Sequence, residues 1–184
     1  MIVGAYVLNG LIITINKNKM IRILCIIGEA GVGKDTAAAY LAKKHGWNLI
    51  HSYTNRPMRK GETQGKEHIF VDYCAPETTF AYTHYGEYDY WTDMSQFIEG
   101  TMNVYVIDEK GLIYAKEKIK EFDSSQLFCV YISADKEKRS ERGIEDKRMD
   151  RDSTRIEYDG KYDYKIINNG SIEEFYKALD EIRL

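Results

Sequence analysis

The chain has 184 residues, 43% of them hydrophobic and 30% charged, with 14 Gly and only 2 Pro. That is the length of one domain, enough to bury a core without disulfides, and the composition excludes collagen, low-complexity linker and wholesale disorder. A net charge of −3 gives no global basic field for a nucleic acid polymer.

Three cysteines are too few for a disulfide framework. Cys25 and Cys129 sit inside apolar runs, which reads as buried reduced thiols in a cytoplasmic protein. Residues 1–15 (MIVGAYVLNGLIITI) are apolar but carry no positive flank before them and no small-residue cleavage site after them. They are short of the roughly 20 residues of a membrane span. Two readings remain: an edge strand or hairpin, or an extension upstream of a start at Met20, the second being favoured. Residues 1–19 are thus expected to lie outside the fold, residues 20–184 to form it, and no membrane partner is expected.

From Ile21 onward, strand and helix signals alternate. Ile21–Ile27 (IRILCII) is a short β-branched apolar run, the pattern of a buried strand. A glycine-rich turn follows, and Thr36–Lys44 (TAAAYLAKK) has high helix propensity. Trp47–His51 is a short strand candidate, residues 52–68 a polar loop, and residues 69–92 small strands or a hairpin. Asn103–Ile107 predicts a strand, Lys110–Phe122 a helix, Leu127–Ser133 a strand and Tyr164–Asn168 another. A last helix begins at Ser171, with Glu174 placed for a capping box. Strands separated by helices imply βαβ units and a parallel sheet flanked by helices.

The strongest chemical signal is Gly28-Glu29-Ala30-Gly31-Val32-Gly33-Lys34-Asp35-Thr36. It fits the phosphate-loop pattern G-x-x-x-x-G-K-[ST] at Gly28, Gly33 and Lys34, between an apolar strand and a helix. Glycines let the backbone wrap until several N–H groups face phosphate oxygens, the helix N-terminus adds partial positive charge, and Lys34 reaches the β- and γ-phosphates. Asp35 stands where a hydroxyl usually meets Mg²⁺. A carboxylate is also a hard oxygen ligand, and Thr36 supplies a hydroxyl one position later. Gly28, Gly31, Gly33, Lys34, Asp35 and Thr36 are therefore the expected ATP-binding residues, with Asp35 and Thr36 at the metal.

Residues 52–71 read SYTNRPMRKGETQGKEHIFV. Two arginines three apart suit a monophosphate, because guanidinium forks grip phosphate oxygens bidentately. The segment resembles, without gaps, the acceptor-binding signature of guanylate kinases, S-x-T-T-R-x-x-R-x-G-E-x-x-G-x-x-Y-x-F-V. The resemblance implies that Ser52, Arg56 and Arg59 hold the acceptor phosphate. His68 stands where the family has its next contact, a tyrosine. Tyr90 and Thr92 resemble a later tyrosine and serine. The family's guanine-reading glutamate falls by spacing on Ala81, which weakens a guanine preference.

Asp108-x-x-Gly111 matches the family's D-x-x-G after a strand, implying that Asp108 contacts the acceptor base or orders the metal site. Capping the following helix is the plainer role, and the two are compatible. The family's extra Asp two residues earlier is Val106 here. The densely charged residues 135–155 are mostly a solvated surface. Within them Arg139, Arg142, Arg148 and Arg151 resemble the catalytic lid arginines of nucleotide kinases, Arg142 and Arg151 first. Asn168 resembles the residue that contacts the donor adenine.

The sequence thus resembles a P-loop nucleoside monophosphate kinase of the guanylate kinase type. That implies an α/β P-loop NTPase fold, a small acceptor-binding insertion near residues 52–92 and a lid near residues 140–152. It also implies ATP and Mg²⁺ as cofactors and small-molecule nucleotides as partners, in a cytoplasmic monomer or homodimer. GMP or dGMP is the first acceptor expected. A kinase of another (deoxy)nucleotide is the alternative, since the GKDT loop also resembles some viral deoxynucleotide kinases. A non-catalytic guanylate-kinase-like binding module is the alternative of another class.

Overall fold

The computed structural model describes residues 5–8, 11–14, 20–73, 75, 79–122, 124–144 and 161–184. Near the N-terminus, β1 (Ala5–Leu8) and β2 (Leu11–Thr14) pair antiparallel in a two-stranded sheet of their own.

The central sheet is wholly parallel. It contains β3 (Arg22–Ile27), β4 (Asn48–Ile50), β9 (Met102–Val106), β10 (Gln126–Ser133) and β11 (Tyr164–Ile167), in the order β11-β10-β3-β9-β4. All four strands expected for this sheet from Ile21 onward are present, along with the short one at Trp47–His51. β3 lies in the middle because it is apolar on both faces. Ile23, Cys25 and Ile27 enter one core layer with Tyr105, Leu112 and Phe122. Leu24 and Ile26 enter the other with Val104, Leu41 and Phe175. That two-sided burial is what a continuous Ile/Leu run buys in a parallel sheet.

The helices cover both faces. α1 (Lys34–His45) buries Ala37, Ala38, Leu41 and Ala42, and ends where Gly46 turns left-handed at φ 67°. α2 (Glu109–Ile119) starts at Asp108, whose carboxylate accepts from the Gly111 N–H. α3 (Lys136–Glu141) is short. α4 (Ile172–Asp180) opens with the expected capping box between Ser171 and Glu174. It docks on α1 through stacked Tyr40 and Tyr176 rings, 4.0 Å between centroids, and through the Tyr40 hydroxyl on Asp180.

A second sheet is inserted between β4 and β9. It joins β5 (Tyr53–Thr54), β6 (Ile69–Phe70), β7 (Ala81–Tyr85) and β8 (Tyr88–Thr92), in the order β6-β5-β8-β7. β7 and β8 form the hairpin anticipated in residues 69–92. Among the described residues, no helix is long and apolar enough to cross a membrane. Cys25 and Cys129 are free, buried and in register on β3 and β10, and burial pushes the Cys129 thiol up to about 12.

One buried carboxamide ties the insertion's exit to the sheet. Asn103 donates to the carbonyls of Arg22 (3.0 Å) and Ile98 (3.0 Å), and accepts from the Ile98 N–H (2.8 Å) and Asn48 (2.7 Å). Removing it strands several buried polar groups, each costing about 1–3 kcal/mol. Asn103→Ala should therefore lose at least about 2 kcal/mol of stability, read as a lower urea midpoint. An unchanged midpoint would show that water replaces the carboxamide there.

Candidate active site

The phosphate loop leaves β3 and enters α1 through three left-handed glycines, Gly28 (φ 144°), Gly31 (φ 80°) and Gly33 (φ 98°). At Gly28 the backbone passes so close to β10 that an added Cβ would lie 2.1 Å from the Ile132 carbonyl oxygen. Gly33 is the N-cap of α1 and offers no side chain to its first N–H groups, which leaves them for an anion.

Four consecutive loop carbonyls are held by side chains, one by the loop's own Lys34 and three from outside the loop. Lys34 Nζ donates to Glu29 O (2.8 Å), Arg139 Nε to Ala30 O (2.8 Å), Arg142 Nη1 to Gly31 O (3.0 Å) and Asn168 Nδ2 to Val32 O (2.9 Å). A trans peptide sends its carbonyl and the next N–H in opposite directions. Pinning these carbonyls therefore fixes the direction of the N–H groups of Ala30 to Gly33, the donors a phosphate would meet.

This changes the picture of two expected lid arginines. Arg139 is buried, paired with the Glu29 carboxylate at 2.9 Å, and built into the loop's support. Arg142 is exposed but also donates to Asn168 O at 2.8 Å. Arg148 and Arg151, with most of the expected lid, lie outside the described residues. Asn168 is buried and lines a cavity of about 240 Å³ with Gly33, Thr36, Arg142, Ile172 and Phe175. Asp35 and Thr36 are exposed at the start of α1.

A larger cavity, about 360 Å³, runs from Lys34 to Ser52, Arg56, Arg59, His68 and Tyr90 at one end. Its other walls include Tyr82, Thr83, Tyr85, Tyr105 and Asp108. Asp108, at the C-terminal end of β9, accepts from the Thr83 hydroxyl at 2.9 Å as well as capping α2. The capping role expected for it is thus present, and the same oxygen holds the hairpin. The insertion and the switch in strand order bring these groups beyond the carboxyl ends of the strands, the place where α/β sheets bind ligands.

The resemblance puts the family's guanine-reading position at Ala81, where no acid stands, and its later serine at Thr92. Ala81 and Thr92 face each other across the hairpin and are buried in the core. The next pair on the same face, Thr83 and Tyr90, lines the cavity. Side chains repeat every second residue along a strand, so a displacement of one pair keeps the face and changes the neighbours. Four tyrosines, Tyr82, Tyr85, Tyr90 and Tyr105, lie on the cavity wall.

Sequence reasoning quoted Glu62 within the signature and gave it no role. Its carboxylate takes both ends of the Arg56 fork at 2.9 Å and the Arg59 N–H at 2.7 Å. Glycine-flanked acid three residues after an arginine was the available signal. Hydrogen bonding from Arg56 holds the Glu62 carboxyl below its ordinary range, against the opposing effect of burial.

Comparison with known proteins places this geometry. No family model matches the chain. The guanylate kinase of Nitrobacter hamburgensis is 30% identical over 175 residues, covering 83% of this chain and 77% of that protein. The chain belongs to the guanylate kinase family. The guanylate kinase of Nitrobacter winogradskyi is 29% identical over 174 residues, with the same shares covered. That of Protochlamydia amoebophila is 26% identical over 90% of this chain and 91% of its own. In fold, the chain resembles the crystal structure of guanylate kinase from Anaplasma phagocytophilum, with a TM-score of 0.59 and 22% identity over 88% and 83% of the two chains. Membership in the guanylate kinase family makes the chain an ATP-dependent nucleotide kinase, acting on a nucleoside monophosphate, built on the P-loop α/β fold.

Against the guanylate kinase signature, His68 is the sharpest departure at the phosphate end. Its Nδ1 lies 2.8 Å from Ser52 Oγ, and its ring meets Tyr90 edge-on. Burial first, and then the Arg56 charge, lower its pKa from the ordinary 6.5, with Glu62 and Asp35 acting the other way. His68 therefore takes up a proton less readily in the folded site than in the unfolded chain. Below 6.5 the unfolded chain takes up a proton that the folded site resists, so this group makes stability rise with pH across the window beneath 6.5 and adds nothing to the slope above it. In His68→Asn, urea midpoints measured from about pH 5 to pH 8 should fall less steeply on acidification than in the wild type. Parallel curves would show that His68 stays protonatable in the folded protein.

Proposed function

We propose that the protein transfers the γ-phosphoryl group of ATP to a (deoxy)nucleoside monophosphate, with GMP or dGMP the first acceptor to test. The observation that carries this is the continuity of the larger cavity, which joins the P-loop lysine, Lys34, to the arginine pair of the acceptor signature. In this reading the four-stranded sheet of residues 52–92 is the acceptor insertion, and the smaller cavity beside Asn168 and Arg142 takes the donor base.

The acceptor nucleophile is already an anionic phosphate, so the protein needs no general base. Its work is positioning and charge neutralisation. Arg56, Arg59, Ser52 and His68 would hold the acceptor phosphate, Tyr90 would support it, and Asp108 with Thr83 would meet the base. Lys34 and the inward N–H groups of the loop would stabilise charge on the transferred group. Arg142, Arg139, Arg148 and Arg151 complete the arginine set expected near the triphosphate. Of these, Arg139 acts in this reading through the loop it supports.

Asp35 and Thr36 suit Mg²⁺ as exposed hard-oxygen donors at the end of the loop. Among the described residues no three His, Cys, Asp or Glu cluster as a metal cage. An ion held by one or two protein oxygens together with phosphates and water needs no such cage. When bound there, Mg²⁺ would offset phosphate charge, with Asp35 and Thr36 the residues to hold it.

A second acceptor reading has an observation of its own. The hairpin residue that meets Asp108 is Thr83, a neutral hydroxyl, rather than an acid. That favours testing other deoxynucleotides beside GMP. ADP formation from ATP and Mg²⁺ should be measured with each common ribo- and deoxynucleoside monophosphate. Turnover with GMP or dGMP alone supports the first reading, and turnover with other acceptors the second. Ligand binding without any turnover would instead support a binding module. Lys34→Ala should cut transfer by at least about 10²-fold at an unchanged melting temperature. Surviving activity would remove the P-loop from the reaction.

A further inference from the structure

We infer that Glu62 is a positioning residue for the acceptor phosphate, holding the Arg56 guanidinium in one plane so that its outward N–H and the Tyr90 hydroxyl are presented together. This rests on the acceptor site proposed above. Glu62 does not line the cavity, whereas Arg56, Arg59 and Tyr90 do. It stands behind the arginine and touches no substrate.

The donor count of Arg56 carries the argument. A guanidinium has five N–H donors. Nε donates to the Tyr90 hydroxyl oxygen at 3.1 Å. Nη1 donates to Pro57 O and to Glu62 Oε2, each at 2.9 Å. Nη2 donates to Glu62 Oε1 at 2.9 Å. These bonds use four donors and leave one Nη2 N–H. Because the Tyr90 oxygen accepts from Nε, its own proton is left to donate elsewhere. Two donors on adjoining groups are then fixed by a single carboxylate.

The same carboxylate sets the second arginine. Glu62 Oε2 accepts the Arg59 N–H at 2.7 Å, which fixes the backbone from which the exposed Arg59 side chain reaches into the cavity. Arg56 is 5% exposed and lies over the Phe70 ring at 5.3 Å, so the plane is confined from a further side. A buried guanidinium with one partner removed would be both uncompensated and free to rotate.

The opposite role is also conceivable on the same contacts: Glu62 would occupy the donors that phosphate needs and would have to be displaced. The two roles differ in sign, which makes the test decisive. KM and kcat for GMP, or for whichever acceptor the panel selects, and for ATP should be compared in wild type, Glu62→Gln and Glu62→Ala.

Positioning predicts an acceptor KM raised on the order of tenfold in Glu62→Gln and further in Glu62→Ala, with the ATP KM unchanged. Gln keeps one carbonyl acceptor for the fork, so it should fall between Glu and Ala. Adding Glu62→Gln to Arg56→Lys should cost little more than Arg56→Lys alone, because the effect passes through the Arg56 fork. A merely structural role would move both KM values alike and would add fully to Arg56→Lys, whereas a lower melting temperature is expected in either role because the buried guanidinium loses its partner. An acceptor KM that falls or stays constant in Glu62→Gln would overturn the inference while leaving the kinase reading intact. A wild type that turns over no monophosphate would overturn that reading and this inference with it.

Discussion

The structure depends on turning a short stretch of backbone outward. The carbonyls of Glu29, Ala30, Gly31 and Val32 are each held by a donor from Lys34, Arg139, Arg142 or Asn168. Unsupported carbonyls facing a triphosphate would repel it, and a glycine-rich loop has little torsional resistance to such a flip. Fixing the carbonyls removes that freedom. The donors come from α1, from α3 and from the end of β11, so the loop's geometry needs the order of the whole parallel sheet behind it. The 2.1 Å approach of a Gly28 Cβ to Ile132 O expresses the same dependence, since β10 sits too near for any side chain there.

The acceptor end is built on separate elements. A small four-stranded sheet rises between β4 and β9 and carries Arg56, His68, Thr83 and Tyr90, while Asp108 comes from the end of β9 itself. The insertion is anchored through Asn103 at its exit and through Thr83 on Asp108. Contact between hairpin and central sheet is therefore made by the residue that also caps α2.

Contiguous chemistry was legible in the sequence. The P-loop and the run from Ser52 to Val71 each place their groups within a single turn or loop, so local spacing almost determines their geometry. The strand and helix order followed from apolar runs broken by glycine and charge. What depended on a partner far along the chain was not legible. Ala81 and Thr92 missed the cavity by one cross-strand pair, because the hairpin's depth depends on how it seats against α2. Arg139 read as a lid residue because nothing local shows that its Nε meets Ala30 O. Glu62 stood in plain view, but its function lies in a fork geometry that spacing alone does not reveal.

The two ends of the site solve one electrostatic problem in the same way. Each has a pair of arginines three residues apart, Arg56 with Arg59 and Arg139 with Arg142. In each pair the first is buried, bound to a glutamate, Glu62 or Glu29, and donates to a backbone carbonyl, Pro57 O or Ala30 O. In each pair the second is exposed and lines a cavity. A buried cation costs too much free energy to stand without an anion, and once paired it is rigid. An exposed cation is cheap to keep, and its charge stays open to solvent and ligand. Setting one beside the other gives a defined frame and an accessible charge at the same place. A phosphate that must be held in line yet released as product needs both.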